Sequence, residues 1–429
     1  RYFQYKGHLL GKVCSPTCCI FATQKNATSH EAEFPRAAEA IKESTVVDDT
    51  LDSVPTSEEA IKLVNDLITV NGKIGLKMVK ISTNDLAVAK GLPDSVSKSK
   101  NMLLYEMFGP QGPEYAPGTI PKCPQIRTLG QYLNLIEDVY TYSSYEPDDN
   151  IVWTKTRCLS QAHKIYDPLG AAIPVLLESK LFMQDLWRRK AEWTDTLTDI
   201  ELERWKDWLI NLPLMEKISF RRVLCPGLPK DFKSVQLHVF ADASKVAFCA
   251  IAFIRVEYKD DRPIYINFVQ AKNSIAPIEP FRTIPRLELM GLESAGRLAK
   301  AICVKLKLNL KDVTLWTDAT TALQWLRMDS KTLLPLIHNY CIKTLDLFPI
   351  EQIRWVPGPE NPADFGTRPK LVEEMVEYSP WTKGPEFLYS HESEWPRLPA
   401  LERTKEVMEE VKREFKLFSG SVVLSTNKA

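Results

Sequence analysis

The apolar positions of the chain change period twice. Over Glu58 to Ile74 (EEAIKLVNDLITVNGKI) they recur at helical spacing and put Ile61, Val64, Leu67 and Ile68 on one face. Residues 91–127 are rich in Pro, Gly, Ser and Lys and read as a loop or linker. Helical spacing returns across 155–215, where Leu181, Leu186, Trp187, Trp193, Trp205, Trp208 and Leu209 predict two amphipathic helices. Pro168, Gly170, Pro174 and Pro213 supply their ends. From Val235 the period falls to two. Leu237 and Val239, then Phe248, Ala250 and Ala252, then Tyr265 to Val269 read as three strands. Leu287 to Leu306 is a long amphipathic helix carrying Leu287, Met290, Leu298, Ile302 and Leu306. Val313 to Thr317 is a fourth strand, Ala322–Met328 and Leu334–Phe348 are helices, and Ile353 to Val356 is a fifth strand stopped by Pro357-Gly358-Pro359. The order β-β-β-α-β-α-α-β-α predicts a mixed sandwich, α/β and α+β, within a multidomain chain. No Gly-rich phosphate loop follows any strand, which argues against a dinucleotide fold. The tail Glu402 to Lys416 places Met408, Val411, Phe415 and Phe418 on one side. It predicts a solvated helix packed on its own protein, with a membrane-surface or partner helix as the alternative.

A length of 429 residues exceeds one ordinary core and implies two or three domains. With 44% hydrophobic and 26% charged residues, global disorder and fibrous folds are excluded. No run of about 18 apolar residues occurs, so no transmembrane helix or membrane partner is expected. The net charge is zero, so any binding of nucleic acid needs a local basic face. Lys180, Arg188, Arg189 and Lys190, with Arg221 and Arg222, could offer one, although a solvated helix face is the favoured reading of them. Nine Cys are too few for a disulfide framework. Cys14, Cys18 and Cys19 cluster, but His8 and His30 do not complete a zinc set, so buried thiols in a reducing compartment are expected. The start at Arg1, without a signal-peptide pattern, reads as a piece of a longer polyprotein.

Four acids stand at element ends of the 235–370 stretch. Asp242 ends the first strand (LHVFADAS), and Glu288 opens the long helix (IPRLELMGLESA). Asp318 ends the fourth strand (VTLWTDATTALQWL), and Asp364 follows the fifth (IRWVPGPENPADFGTR). Each adjoins apolar sequence, where a lone carboxylate is costly to bury without a cation or hydrogen bonds. Four carboxylates can hold two hard divalent cations through oxygen. Two such ions about 3.5–4 Å apart can activate a water and stabilise the leaving oxygen of a phosphodiester, with no Ser, Cys or His.

The motifs F-A-D-A-S, I-P-R-L-E-L, L-W-T-D and N-P-A-D with a following T-R occur in order. With them, residues 235–370 resemble the ribonuclease H domain of BEL/Pao-type retrotransposon polyproteins. The resemblance implies a ribonuclease H-like mixed five-stranded sheet with flanking helices. It implies Asp242, Glu288, Asp318 and Asp364 as the catalytic, metal-binding carboxylates, with two ions of Mg²⁺ or Mn²⁺. Glu288 and Asp242 would share one metal, with Asp318 opposite and Asp364 completing the second site. It further implies an RNA–DNA hybrid as partner and hydrolysis of its RNA strand. Two departures stand out. Ala319 follows Asp318 where such elements often have Ser, and no His precedes Asp364 in IRWVPGPENPAD.

Upstream, Thr45-Val46-Val47-Asp48-Asp49 matches the Y-V-D-D box of the polymerase palm in these elements, with Val46 in place of Tyr. Asp48 and Asp49 would be metal ligands of an incomplete polymerase site. The earlier palm Asp has no counterpart here, so no polymerase activity is expected from the chain alone. Gly11 to Pro16 (GKVCSP) resembles the preceding template-gripping segment, and Leu129-Gly130-Gln131-Tyr132-Leu133 the later L-G-x-x-W element. Residues 158–222 resemble the connection segment and contain no D-T-G or D-S-G peptidase loop. Its Trp187, Trp193, Trp205 and Trp208 serve interhelix packing or base stacking. Residues 376–397 resemble the spacer before the integrase.

The expected division is therefore 1–127 partial palm and thumb, 128–230 connection, 231–372 ribonuclease H-like domain, and 373–429 spacer and helix. The resemblance places the chain in the cytoplasm, a virus-like particle or the nucleus, beside other parts of its polyprotein. Two further readings stay open: a decayed or host-adopted remnant that binds nucleic acid or protein, and a polymerase subunit completed by another chain.

Overall fold

The computed structural model describes residues 14–46, 49–78, 80–93, 97–98, 125–128, 131–134, 137–145, 151–278, 283–400, 405–409 and 411. Asp48, His8, Gly11 to Val13, Leu129, Gly130, Phe415, Phe418 and most of 91–127 lie outside them. The chain divides into two compact units, 1–140 and 141–429.

In the first unit, helices Ser15–Ser29, Pro35–Glu43 and Ser57–Gly72 enclose Ala27, Ala37, Ala38, Ile41, Leu63, Leu67 and Val70. The third helix starts where Thr56 accepts the Glu59 amide at 3.2 Å, with Glu58 and Glu59 against the positive helix end. Its expected face is split between two cores. Leu67 enters the first, while Ile61, Val64 and Ile68 pack on a smaller cluster of Ile81, Val88, Ala89 and Leu92. Cys14 is exposed and Cys18 and Cys19 are half-buried, so the expectation of buried thiols fails at this cluster.

In the second unit three helices, not two, precede the sheet: α1 (Lys155–Ala162), α2 (Ile173–Arg188) and α3 (Asp199–Ile210). Thr154 caps α1. At the start of α3, Thr198 and Glu201 form a reciprocal capping box, the Glu201 side chain accepting the Thr198 amide at 2.9 Å. Strands β1 (Phe232–Ala243), β2 (Ala247–Tyr258), β3 (Tyr265–Ile275), β4 (Val313–Thr317) and β5 (Ile353–Trp355) form one sheet in the order β3-β2-β1-β4-β5. The β3-β2-β1 pairings are antiparallel, and β4 runs parallel to both β1 and β5. Helix α4 (Ile284–Leu306) connects β3 to β4, and α5 (Thr320–Arg327) and α6 (Pro335–Leu347) connect β4 to β5. This is the ribonuclease H-like mixed sheet with flanking helices.

The sheet is covered on both faces. On one, Leu237, Val239, Ala250 and Leu315 pack against Leu292, Leu298 and Ile302 of α4, Leu323 and Trp325 of α5 and Ile337 of α6. Leu306, expected on that face, is exposed. On the other, Phe240 stacks on Trp316, and Phe387 and Trp395 close over them. The connection helices, the sheet and the C-terminal spacer, separate segments in the sequence reading, share this unit. Trp381 Nε1 donates to Ala171 O at 2.8 Å, and the Lys370 amide to Pro174 O at 3.0 Å. Val407 and Val411 of the tail are buried in the helix-side core, where Trp325 Nε1 donates to Val407 O at 3.2 Å. The described part of the tail thus packs on its own protein.

The loop before α2 closes the outer edge of β3. The Ala271 amide donates to Leu169 O at 2.8 Å. Gly170 has φ +79°, and a Cβ there would collide with the Ala271 carbonyl, so only glycine fits. Asp167 accepts from Tyr142 Oη at 2.6 Å and from the Ala172 amide at 3.0 Å.

Candidate active site

Two of the four acids stand where main-chain geometry sets them side by side. β1 and β4 are parallel and pair Ala241 with Thr317. The next residues, Asp242 and Asp318, therefore leave neighbouring strands side by side, about 4.8 Å apart in the sheet. Glu288 lies in the first turns of α4. Gly291, one turn later, lets the helix backbone approach closely, since a Cβ there would stand 3.2 Å from Asp242 O. Asp364 sits in the 3₁₀ stretch Pro362–Thr367 that follows β5.

Two polar residues tie that stretch to the strand ends. Asn361 is 1% exposed, and its Nδ2 donates to Ala241 O at 3.0 Å and to Asp318 Oδ1 at 3.1 Å. Thr367 is fully buried, with Oγ1 3.1 Å from Asp242 Oδ2 and 2.8 Å from Asp364 O. Ser244 Oγ donates to Thr367 O at 2.8 Å. Asn361 and Thr367 stand inside the N-P-A-D and T-R motif, and that place is their only sequence signal. Ala319 occupies the N-cap of α5 without a side-chain cap, the position where the resembling elements often have Ser.

Burial, and then the charges of Asp318 and Asp364, push the Asp242 carboxyl up to about 8. Burial and the Asp318 charge push Glu288 up to about 7. Burial raises Asp318 as well. Asp364 is paired with Arg368, Oδ1 to Nη1 at 2.6 Å. The donors suit a hard divalent cation in kind and charge. Among the described residues, however, no three His, Cys, Asp or Glu side chains gather in metal-binding geometry. The Asp242 and Asp364 oxygens turn instead to Thr367 and Arg368.

These shifts fix a pH dependence. Asp242 and Glu288 bind protons more tightly when folded than when unfolded, so their contribution to stability falls as pH rises from about 4 through 7 and 8. His238, fully buried with Nδ1 accepting from Trp316 Nε1 at 3.1 Å, is pushed down to about 3 by burial and then by Arg255 and Arg354. Its contribution rises with pH between about 3 and 6.5 and is constant above. In chelator the melting temperature should therefore fall between pH 6.5 and 8. Asp242→Asn should raise it at pH 8 by roughly 4–8 °C, or about 2 kcal/mol. Melts across pH check this, and equal slopes in both proteins would refute it.

The other sequence candidates belong to other elements or fall outside the described residues. Asp49 pairs with Val46 in a two-stranded ladder of the first unit, and Asp48 is not described. Trp205 and Trp208 are core residues. Trp187 and Trp193 are half-exposed and flank the buried Lys155 ammonium, 3.5 and 4.8 Å from their ring centres. The basic cluster is largely engaged within the chain. Arg188 pairs with Asp185, Arg189 with Glu201, and Lys180 Nζ donates to Asn273 at 2.6 Å. Among the described residues, no helix is long and apolar enough to cross a membrane.

Residues 154–319 match the family model described as the Pao retrotransposon-like RNaseH-like domain. This segment is similar to a Pao-type retroelement domain. Its match opens at Thr154, the cap of α1, so helices α1 to α3 and strands β1 to β4 fall in one family unit, with Asp242, Glu288 and Asp318 inside it and Asp364 beyond. No curated protein sequence matches the chain. Among solved structures, the chain is similar to a foamy viral protease-reverse transcriptase in complex with dsDNA, at 13% identity and a TM-score of 0.40, covering 81% of this chain and 59% of that one. A second foamy viral structure, also with dsDNA, gives 14% and 0.37, covering 78% and 48%. The chain thus spans about half the length of these viral proteins. RNase H1 from the archaeon Halobacterium salinarum gives 15% and 0.19, covering 30% and 90%.

Proposed function

We propose that the chain hydrolyses the RNA strand of RNA–DNA hybrids with Mg²⁺ or Mn²⁺. One observation carries this reading: Asp242, Glu288 and Asp318 stand near one another at one end of a ribonuclease H-like sheet, all with raised proton affinity. Crowding buried carboxylates costs stability, and such clusters are a mark of functional sites. With Asp364 they would hold one or two ions, which when bound supply activation of water and stabilisation of the leaving oxygen. The chain's own contribution is position. Asn361 fixes the Asp318 carboxylate, Thr367 fixes Asp242, and both are buried and anchored to backbone. The hybrid itself is read by shape and backbone rather than base sequence.

The test is the full chain on a hybrid labelled on each strand, with Mg²⁺ or Mn²⁺ and with chelator. Metal-dependent cutting of RNA alone supports the reading. A second reading, hybrid binding without cleavage, is favoured by the Asp364–Arg368 pair and the absence of a ready-formed cluster of three ligands among the described residues. Binding without cutting in either metal would establish it and overturn the first.

A further inference from the structure

The four carboxylates are electrostatically unequal. Asp242, Glu288 and Asp318 form no ion pair among the described residues, whereas Asp364 holds Arg368 at 2.6 Å. The nearby Lys370 is engaged elsewhere, with Glu374 at 3.2 Å and over the Phe365 ring. The turn carrying the pair is fixed. Asn361 and Thr367 are buried and bonded to β1, and Phe365 stacks on Tyr378 at 4.4 Å. The Arg368 side chain, by contrast, is 57% exposed. It can leave Asp364 by side-chain rotation alone, at the small cost of an exposed ion pair.

Building on the proposed nuclease function, we infer that Arg368 is an exchangeable counterion that passes from Asp364 to a phosphate of the bound nucleic acid when a divalent cation takes Asp364. Charge balances in the exchange: the carboxylate trades a guanidinium for a metal, and the guanidinium trades a carboxylate for a phosphodiester. The planar fork of Arg suits both partners. Metal and nucleic acid then bind cooperatively, and each raises the affinity for the other by the same factor. Arg368 acts as a positioning residue that reserves Asp364 until substrate is present.

The test is calorimetry of Mn²⁺ binding to the full chain and to Arg368→Gln, without nucleic acid and with a hybrid whose RNA strand is 2′-O-methylated against cleavage. The glutamine variant should bind Mn²⁺ alone about two- to fivefold more tightly, because nothing competes for Asp364. It should bind the hybrid more weakly, with a log–log salt slope shallower by about one. Mn²⁺ should then gain little from added hybrid. Unchanged Mn²⁺ affinity or an unchanged salt slope overturns the exchange. Arg368→Lys, which keeps the charge and loses the fork, should keep the slope yet bind hybrid less tightly. If the glutamine variant does not fold, a lysine variant equal to the parent overturns the assignment. Failure of both proteins to bind Mn²⁺ overturns the nuclease reading itself, and this inference with it.

Discussion

Asp318→Asn is expected to lower metal-dependent RNA cleavage by about a thousandfold or more, near 4 kcal/mol of barrier, with the fold intact. Its position explains both halves of that expectation. Asp318 neighbours Asp242 across the parallel β4–β1 pair and is the charge that pushes Glu288 up, so it is central to the cluster. An amide oxygen in its place still accepts the Asn361 Nδ2 bond, so the last turn stays anchored. Removing one negative charge also relieves Asp242 and Glu288. The variant should melt no lower than the parent. Asp242→Asn should abolish cleavage to a similar degree. Retained metal-dependent cleavage in either variant, with contaminating nuclease excluded, would remove these residues from the site.

Ending the chain at residue 372 should cost the second unit its cooperative fold. The lost segment includes Trp381, Leu388 and Trp395, all buried, and Phe387 against Trp316. Arg255, 1% exposed, would lose its bonds to Leu388 O at 2.7 Å and Ser390 O at 3.0 Å, leaving a desolvated guanidinium with half its partners. Removing one buried aromatic costs about 3–5 kcal/mol. Three such losses, roughly 9–15 kcal/mol together, match the total stability of an ordinary domain, about 5–15 kcal/mol. The check is circular dichroism melting and limited proteolysis of 1–372 beside the full chain. A soluble 1–372 with a sharp melt and undiminished cleavage would show the covering segment to be dispensable.

That segment is where sequence reading failed most clearly. Trp381 sits in a four-residue α-helix, Leu388 in a short 3₁₀ stretch and Trp395 just after another, all too short for a helical or strand period to announce them. Resemblance to a spacer gave a name and no burial. The strands were legible because both faces of the sheet are apolar. β3 nevertheless extends past Val269 to Ile275, since a register shift at Ala252/Phe253 and the polar run Gln270 to Ser274 break its alternation. Helix α1 has no counterpart among the two expected helices, whose apolar residues run from Leu181 to Leu209; its sequence signal is the Thr154 cap. The placement of Asp242, Glu288 and Asp318 was legible through their positions at element ends. Asn361 and Thr367 were not, because their partners lie 120 and 125 residues away and depend on chain closure.

The loop that pairs Leu169 with Ala271 also bears on solubility. An open sheet presents two unpaired flanks, each a template on which another copy can add a strand. Here one flank is met by the chain's own turn at Ala271, and the other ends in β5, three residues long with Pro357 two residues on. Neither offers a long, flat, unprotected ladder. The bond on the β3 flank comes from a turn more than sixty residues before the first strand, so an early segment of the chain blocks part of the edge that a second copy would use.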